Sequence, residues 1–250
     1  MADFNVKFQS SPEFAPSFRE VQRVSDGGYE RGHAEGIKEG YVAGHEEGVK
    51  EGYAAGQYTD VSWIESNGEQ WIKTDIVLTE NSRFELCIEP VATPQAPSAF
   101  FGARDGNASL NSIGMGFGSN MSVSVDFANS NYAKYRAITT ATLNKKYICV
   151  ADKYERRICD EYGKTIVENT AFCEDTITTR PVSVFIQTGV PENWVPSAAK
   201  VHYLKIWENG ELVADLVPYA SILNGGGLRN KINGKTYPNA GEGSFSYGLN

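Results

Sequence analysis

From Tyr58 onward the chain alternates between apolar and polar positions. Phe84, Leu86 and Ile88 are separated by Glu85 and Cys87, with Glu89 following. Met121, Val123, Val125 and Phe127 are separated by Ser122, Ser124 and Asp126. Val182, Val184 and Ile186 share one face, and 147–151 and 201–207 are further runs of strand length. A period of two sends alternate side chains to opposite faces of a strand, so each run is expected to turn its apolar set inward. Asn209-Gly210 and Asn233-Gly234 lie between such runs, and Asn-Gly favours a tight hairpin because both residues accept positive φ. No convincing helical pattern interrupts the strands. The pattern predicts a mainly β fold over residues 60–250, an antiparallel jelly-roll β-sandwich.

The pattern before residue 58 is different. Glycine occupies every fourth position, at Gly28, Gly32, Gly36, Gly40, Gly44, Gly48, Gly52 and Gly56. A twelve-residue repeat lies over it, in which Tyr29, Tyr41 and Tyr53 correspond, as do His33 and His45, and Ile37 and Val49. The other rows are alanine or charged, apart from Val42. Half of each four-residue unit is thus suited to contact and half to water. An isolated helix would fail, because eight interior glycines cost roughly 8 kcal/mol relative to alanine. Close backbone approach between helices offsets that cost, as in small-xxx-small dimers. Charged rows exclude a bilayer, so 28–57 reads as an α-helical stalk that self-associates, with trimer preferred over dimer. A period of four exceeds 3.6 and implies a right-handed supercoil. The alternative is a flexible, glycine-rich linker.

Residues 1–25 form a third piece. Phe4, Val6 and Phe8 alternate with polar residues, Ser10-Ser11-Pro12 marks a turn, and Phe14, Phe18 and Val21 follow. So short a segment cannot own a core, so its aromatic residues need a partner; we read it as a docking segment. Ser25 or Asp26 would cap the helix that follows.

The net charge of −8 argues against a nucleic-acid surface. No apolar run reaches transmembrane length and Met1-Ala2-Asp3 does not open a signal peptide, so no membrane insertion is expected. Cys87, Cys149, Cys159 and Cys173 lack metal-type spacing and read as buried free thiols, with a Cys149–Cys159 bridge across a hairpin as the alternative.

Two stretches carry a family resemblance. Trp63-Ile64-Glu65-Ser66-Asn67-Gly68-Glu69-Gln70-Trp71-Ile72-Lys73-Thr74 resembles the opening strand pair of concanavalin-A-like, laminin-G-like jelly rolls, which occur in bacteriophage structural proteins and bacterial surface proteins. The run from Tyr203 to Val213, then Leu228 to Tyr237 and Asn239 to Phe245, resembles their closing strands. Lys73 and Asn230 depart from the pattern, standing where the family often has an acid. The glycine repeat resembles the helix of flagellar export stator proteins. The order of short strand, glycine helix and jelly roll resembles tailed-phage virion proteins. That resemblance implies a virion anchor (Phe4, Val6, Phe8, Phe14, Phe18), an oligomeric stalk and an outward head. It also implies contact with other virion proteins through the N-terminus, assembly in the host cytoplasm and display on the virion surface.

The candidate chemistry is sparse. Jelly-roll hydrolases carry E-x-D-x-x-E on one strand, and no such string occurs. Glu85 and Glu89 share a face but lie about 13 Å apart along a strand, too far for a glycosidase pair. Asp160-Glu161 sits in a hairpin and is read as solvated. His33 and His45 point apart on one helix, and His202 has no second ligand nearby; no metal or cofactor is expected. Two polar loops suit sugar hydroxyls and rings, through Arg104, Asp105 and Asn107 in one and Asn193 and Trp194 in the other, with Trp194 either a stacking platform or tucked into its own surface. Trp63, Trp71 and Trp207 sit in strands and are read as core. The leading expectation is a non-enzymatic phage fibre or decoration protein whose head binds surface glycans. The alternatives are a bacterial surface glycan-binding module and a polysaccharide-cleaving enzyme.

Overall fold

Contacts divide the computed structural model into two units, Met1–Gln57 and Tyr58–Asn250. The structure describes residues 58–249 except 95, 97, 106–111, 128–134, 174–177, 190–194 and 222–223. The docking segment and the glycine repeat therefore lie outside the described residues.

Every regular element described is a strand. In chain order they are β1 (Thr59–Asp60), β2 (Trp63–Asn67), β3 (Ile72–Lys73), β4 (Ser82–Pro90), β5 (Ser98–Arg104), β6 (Ser112–Phe117), β7 (Ser122–Phe127), β8 (Arg136–Thr140) and β9 (Tyr147–Ala151). There follow β10 (Arg156–Asp160), β11 (Thr165–Asn169), β12 (Ser183–Val184), β13 (Val195–Pro196), β14 (Ala198–Glu208), β15 (Glu211–Ala220), β16 (Gly227–Asn230), β17 (Thr236–Pro238) and β18 (Ser246–Gly248). The larger sheet has 11 strands and runs β11-β10-β9-β4-β14-β15-β16-β17, with β2 also on β14, β18 on β2 and β1 on β15. The smaller has 7 and runs β3-β12-β5-β6-β7-β8. Strand pairing is antiparallel except where β13 lies parallel to β5. The architecture is an antiparallel β-sandwich.

The core lies between the sheets. Phe84, Leu86, Ile88, Leu204 and Ile206 of the larger sheet face Phe101, Ile113, Met115, Val123, Val125 and Phe127 of the smaller, all buried. Phe84 and Phe101 bridge the two layers with ring centroids 4.9 Å apart. The alternation along β4 and β7 thus places the expected residues inside. Asn209-Gly210 forms the β14–β15 hairpin with both φ positive, at 52° and 83°, and the Asn233-Gly234 turn joins β16 to β17.

Two expectations are corrected. The Trp63–Thr74 stretch is not a strand pair, because β2 and β3 belong to different sheets and the turn between them carries the chain across the sandwich. Met121 and Phe185 adopt left-handed backbone, φ 63° and 69°, so β7 begins at Ser122 and the Val182–Ile186 alternation stops after Val184. The polar face of β7 is buried as well: Ser124 and Asp126 are both enclosed, and Arg136 grips Asp126 at 2.7 and 3.2 Å. Burial pushes the Asp126 carboxyl up, against the pull of Arg136. The cysteines are free thiols as expected, and the alternative bridge is excluded: Cys149 pairs across with Ile158 and Cys159 with Ile148, so the two face opposite sides of the sheet. All four thiols are free and buried, and burial pushes the Cys87 thiol up to about 12.

Candidate functional site

A cleft of about 440 Å³ opens at the hairpin end of the larger sheet. Three segments build it. The approach to β4 contributes Glu80, Asn81, Ser82 and Arg83; the β9–β10 turn contributes Asp152, Lys153 and Tyr154; the end of β14 and its hairpin contribute Trp207, Asn209 and Gly210. These segments are neighbours because β4 lies between β9 and β14, with Arg83 directly opposite Trp207.

Local chemistry fixes each segment. Asp152 accepts the backbone N–H groups of Tyr154 and Glu155 at 2.7 and 2.8 Å, which closes the β9–β10 turn and turns Tyr154 outward, 59% exposed. Arg83 donates to Asp152 at 2.7 Å and to Glu155 at 3.2 Å, tying that turn to β4. Lys153 donates to the Asn81 side chain at 3.0 Å, and Asn209 N–H to the Asn81 carbonyl at 3.2 Å. Glu208 lies beside the cleft and accepts the Thr79 and Ser82 hydroxyls, each at 2.5 Å. Half-buried Trp207 and exposed Tyr154 supply aromatic surface among amide, guanidinium, ammonium and carboxylate groups. Such a mixture of ring faces and planar polar groups suits a polyhydroxylated, partly apolar ligand.

Of the expected glycan-site residues, the two that are described, Arg104 and Asp105, do not line this cleft. Arg104 is the last residue of β5 rather than a loop residue, and it is buried, with its charge acting on Asp126. Asp105 accepts the Thr178 hydroxyl at 2.8 Å and pairs with Arg180 at 3.4 Å. Asn107, Asn193 and Trp194 lie outside the described residues. The strand tryptophans are not core as expected: Trp63, Trp71 and Trp207 are all half-buried. Lys200 caps the Trp63 ring at 4.8 Å, Trp71 packs on the core margin, and Trp207 lines the cleft. The one sequence feature in keeping with an open Trp207 is its place two residues before the Asn-Gly turn, near the sheet's end, and it does not outweigh the core reading.

The acids weighed in the sequence are mostly engaged by neighbours. Glu85 accepts the Tyr203 hydroxyl at 2.8 Å and Glu89 accepts Lys200 at 2.7 Å, so the shared face of β4 is a row of structural contacts. His202 lies 3.4 Å from Glu89. Burial lowers the His202 pKa, and Lys146 adds to that, against Glu89. Burial works to raise the Glu89 carboxyl, but Lys200 and His202 outweigh it and hold it low. Asp160 accepts the N–H groups of Tyr162 and Lys164 and closes its own turn. Asn230, where the resemblance led one to look for an acid, is buried and accepts the N–H groups of Asp215 and Ile232, while Lys73 faces solvent. Among the described residues, no three His, Cys, Asp or Glu side chains converge as a metal site.

No protein-family model matches the chain, and no curated protein matches it. Among solved structures, it is similar to a candidate carbohydrate-binding protein from Bacteroides ovatus, with TM-score 0.50 and 11% identity, over 76% of this chain and 61% of that one. Two fainter likenesses are the CBM40 of the Ruminococcus gnavus IT-sialidase, bound to α2,6-sialyllactose (TM-score 0.43, 10% identity, 60% of this chain and 90% of that), and the SAP-like pentraxin from Limulus polyphemus (0.40, 12%, 62% and 77%). This chain thus spans under two thirds of the Bacteroides protein, and at 11% identity the likeness is one of fold alone, an antiparallel β-sandwich.

Proposed function

We propose that residues 58–250 are a non-catalytic carbohydrate-binding module of jelly-roll type, and that the cleft lined by Trp207 and Tyr154 is its glycan site. The observation that carries this is the cleft itself. An exposed tyrosine and a half-buried tryptophan stand among side chains that hydrogen-bond hydroxyls through flat groups. A sugar ring presents a C–H face to such aromatics and its hydroxyls to the polar groups. The fold likeness to the Bacteroides protein supports the same reading. The acids near the cleft support binding without cleavage, because Asp152 and Glu155 are held by Arg83 and Glu208 by two hydroxyls, which leaves Glu80 as a lone carboxylate in the lining. A hydrolase needs two carboxylates available to the scissile bond.

The setting is a proposal of a different kind. The glycine repeat favours several copies on one stalk, and multivalency raises avidity without new contacts. That arrangement serves a bacterial surface module as well as a virion fibre; the described residues bear on the binding head alone. A glycan array probed with the full chain and with Trp207→Ala tests the function. We expect selective binding weakened about tenfold or more by the substitution. A silent array would overturn the reading, and reducing ends released during incubation would replace it with an enzyme.

A further inference from the structure

The aromatic surface does not end at the cleft. The Tyr154 ring lies 5.2 Å from that of Phe172, itself 47% exposed, and neither belongs to the core. The two rings come from different segments, the β9–β10 turn and the stretch after β11. Arg156 joins those segments from beneath. It is fully buried, and its guanidinium donates to the Asp152 and Lys153 carbonyls at 3.4 and 3.3 Å, to Asn169 Oδ1 at 3.0 Å and to the Ala171 carbonyl. Cys173 N–H also donates to the Lys153 carbonyl at 2.9 Å. Burying a guanidinium is costly, and this one is spent on holding two loops together. The same turn gives Asp152, Lys153 and Tyr154 to the cleft, so the paired rings are fixed relative to it.

We propose that Tyr154 and Phe172 form a second subsite continuous with the cleft, so that the ligand is a chain of two or more neutral hexopyranoses rather than one terminal sugar; this rests on the reading of the cleft as a glycan site. One sugar fills the cleft lined by Trp207. The next lays its C–H face on the Tyr154–Phe172 pair, with its hydroxyls toward the Lys153 ammonium, 5.5 Å from the Tyr154 ring centre. An exposed platform of this kind tightens binding about tenfold, or about 1.4 kcal/mol.

Calorimetric titration of the full chain tests this with one-, two- and three-sugar members of the β1,4-glucose, α1,4-glucose and β1,4-N-acetylglucosamine series. In the series that binds, we expect about tenfold tightening from one sugar to two. Phe172→Ala should abolish that gain and leave the single-sugar affinity unchanged; the exposed ring can be removed without opening the core. Trp207→Ala should weaken every length. Equal affinity at all lengths, or a gain that survives Phe172→Ala, overturns the second subsite and leaves the cleft standing. No binding at any length in all three series overturns the cleft reading and the subsite with it.

Discussion

Arg156 shows how much one buried side chain can organise. Its guanidinium donates to four oxygens, of which the Lys153 carbonyl and Asn169 Oδ1 also accept a backbone N–H, from Cys173 and Ala171. Arg156→Met keeps most of the volume and removes every donor, leaving the Asp152 and Ala171 carbonyls to find new partners. The expected cost is about 2 kcal/mol or more, from two half-buried acceptors at about 1–3 kcal/mol each. Urea unfolding measures it, and a loss under about 1 kcal/mol would mean that water replaces the guanidinium. His202 gives a pH prediction at the same scale. Its folded pKa lies below the unfolded value near 6.5, because burial and Lys146 disfavour the charged ring despite Glu89. The folded state therefore binds this proton less readily than the unfolded state does. The stability it contributes is intact above pH 6.5 and is lost as pH falls from there through the lowered folded pKa. His202→Gln should flatten that limb of a stability–pH curve, and an unchanged slope would place the proton uptake elsewhere.

The pairing of β5 with β6 depends on two glycines. Gly102 and Gly114 face each other, with φ of 131° and 148°. A Cβ on Gly102 would meet the Ile113 carbonyl oxygen at 2.1 Å, and one on Gly114 the Phe101 oxygen at 2.2 Å. Neither backbone can yield without opening the ladder. Gly102→Ala is expected to cost about 3 kcal/mol or more, since backbone strain and overpacking act together. Gly163 is the control: its φ is 79°, but nothing lies within 4 Å of an added Cβ. Gly163→Ala should cost only the left-handed strain, about 1–2 kcal/mol. Thermal melts of the two variants separate the effects, and equal losses would show that the close approach contributes nothing. β5 is also buried along its whole length, and residues after β12 turn back to pair with its edge. Thr188 bridges Ala103, and Gln187 donates to the Ala103 and Ile113 carbonyls, both at 3.2 Å.

At the scale of the whole molecule, the prediction concerns copies. Residues 58–250 form a unit with its own core, whereas the repeat in 28–57 has a glycine row suited to helix contact. Light scattering should find the full chain oligomeric at micromolar concentration and the 58–250 fragment monomeric. A monomeric full chain would remove the stalk. Gly40→Leu sharpens the test, because helix propensity alone makes it favourable by nearly 1 kcal/mol, about the difference between glycine and leucine. A tight groove makes it unfavourable, so a lower melting temperature of the assembly is expected, and a higher one would refute close packing.

The sequence by itself determined the β class, the inward sets of β4 and β7, and the Asn209-Gly210 hairpin. Each follows from the period of two or from a residue's backbone preference, which are local properties. Only the tertiary structure decided that Trp207, Tyr154 and Arg83 meet, since they lie on separate segments and come together because β4 pairs with both β9 and β14. It also decided that Arg104 is buried and Trp207 is not. Exposure depends on what other parts of the chain lay over a residue, and a strand's own alternation carries no record of that.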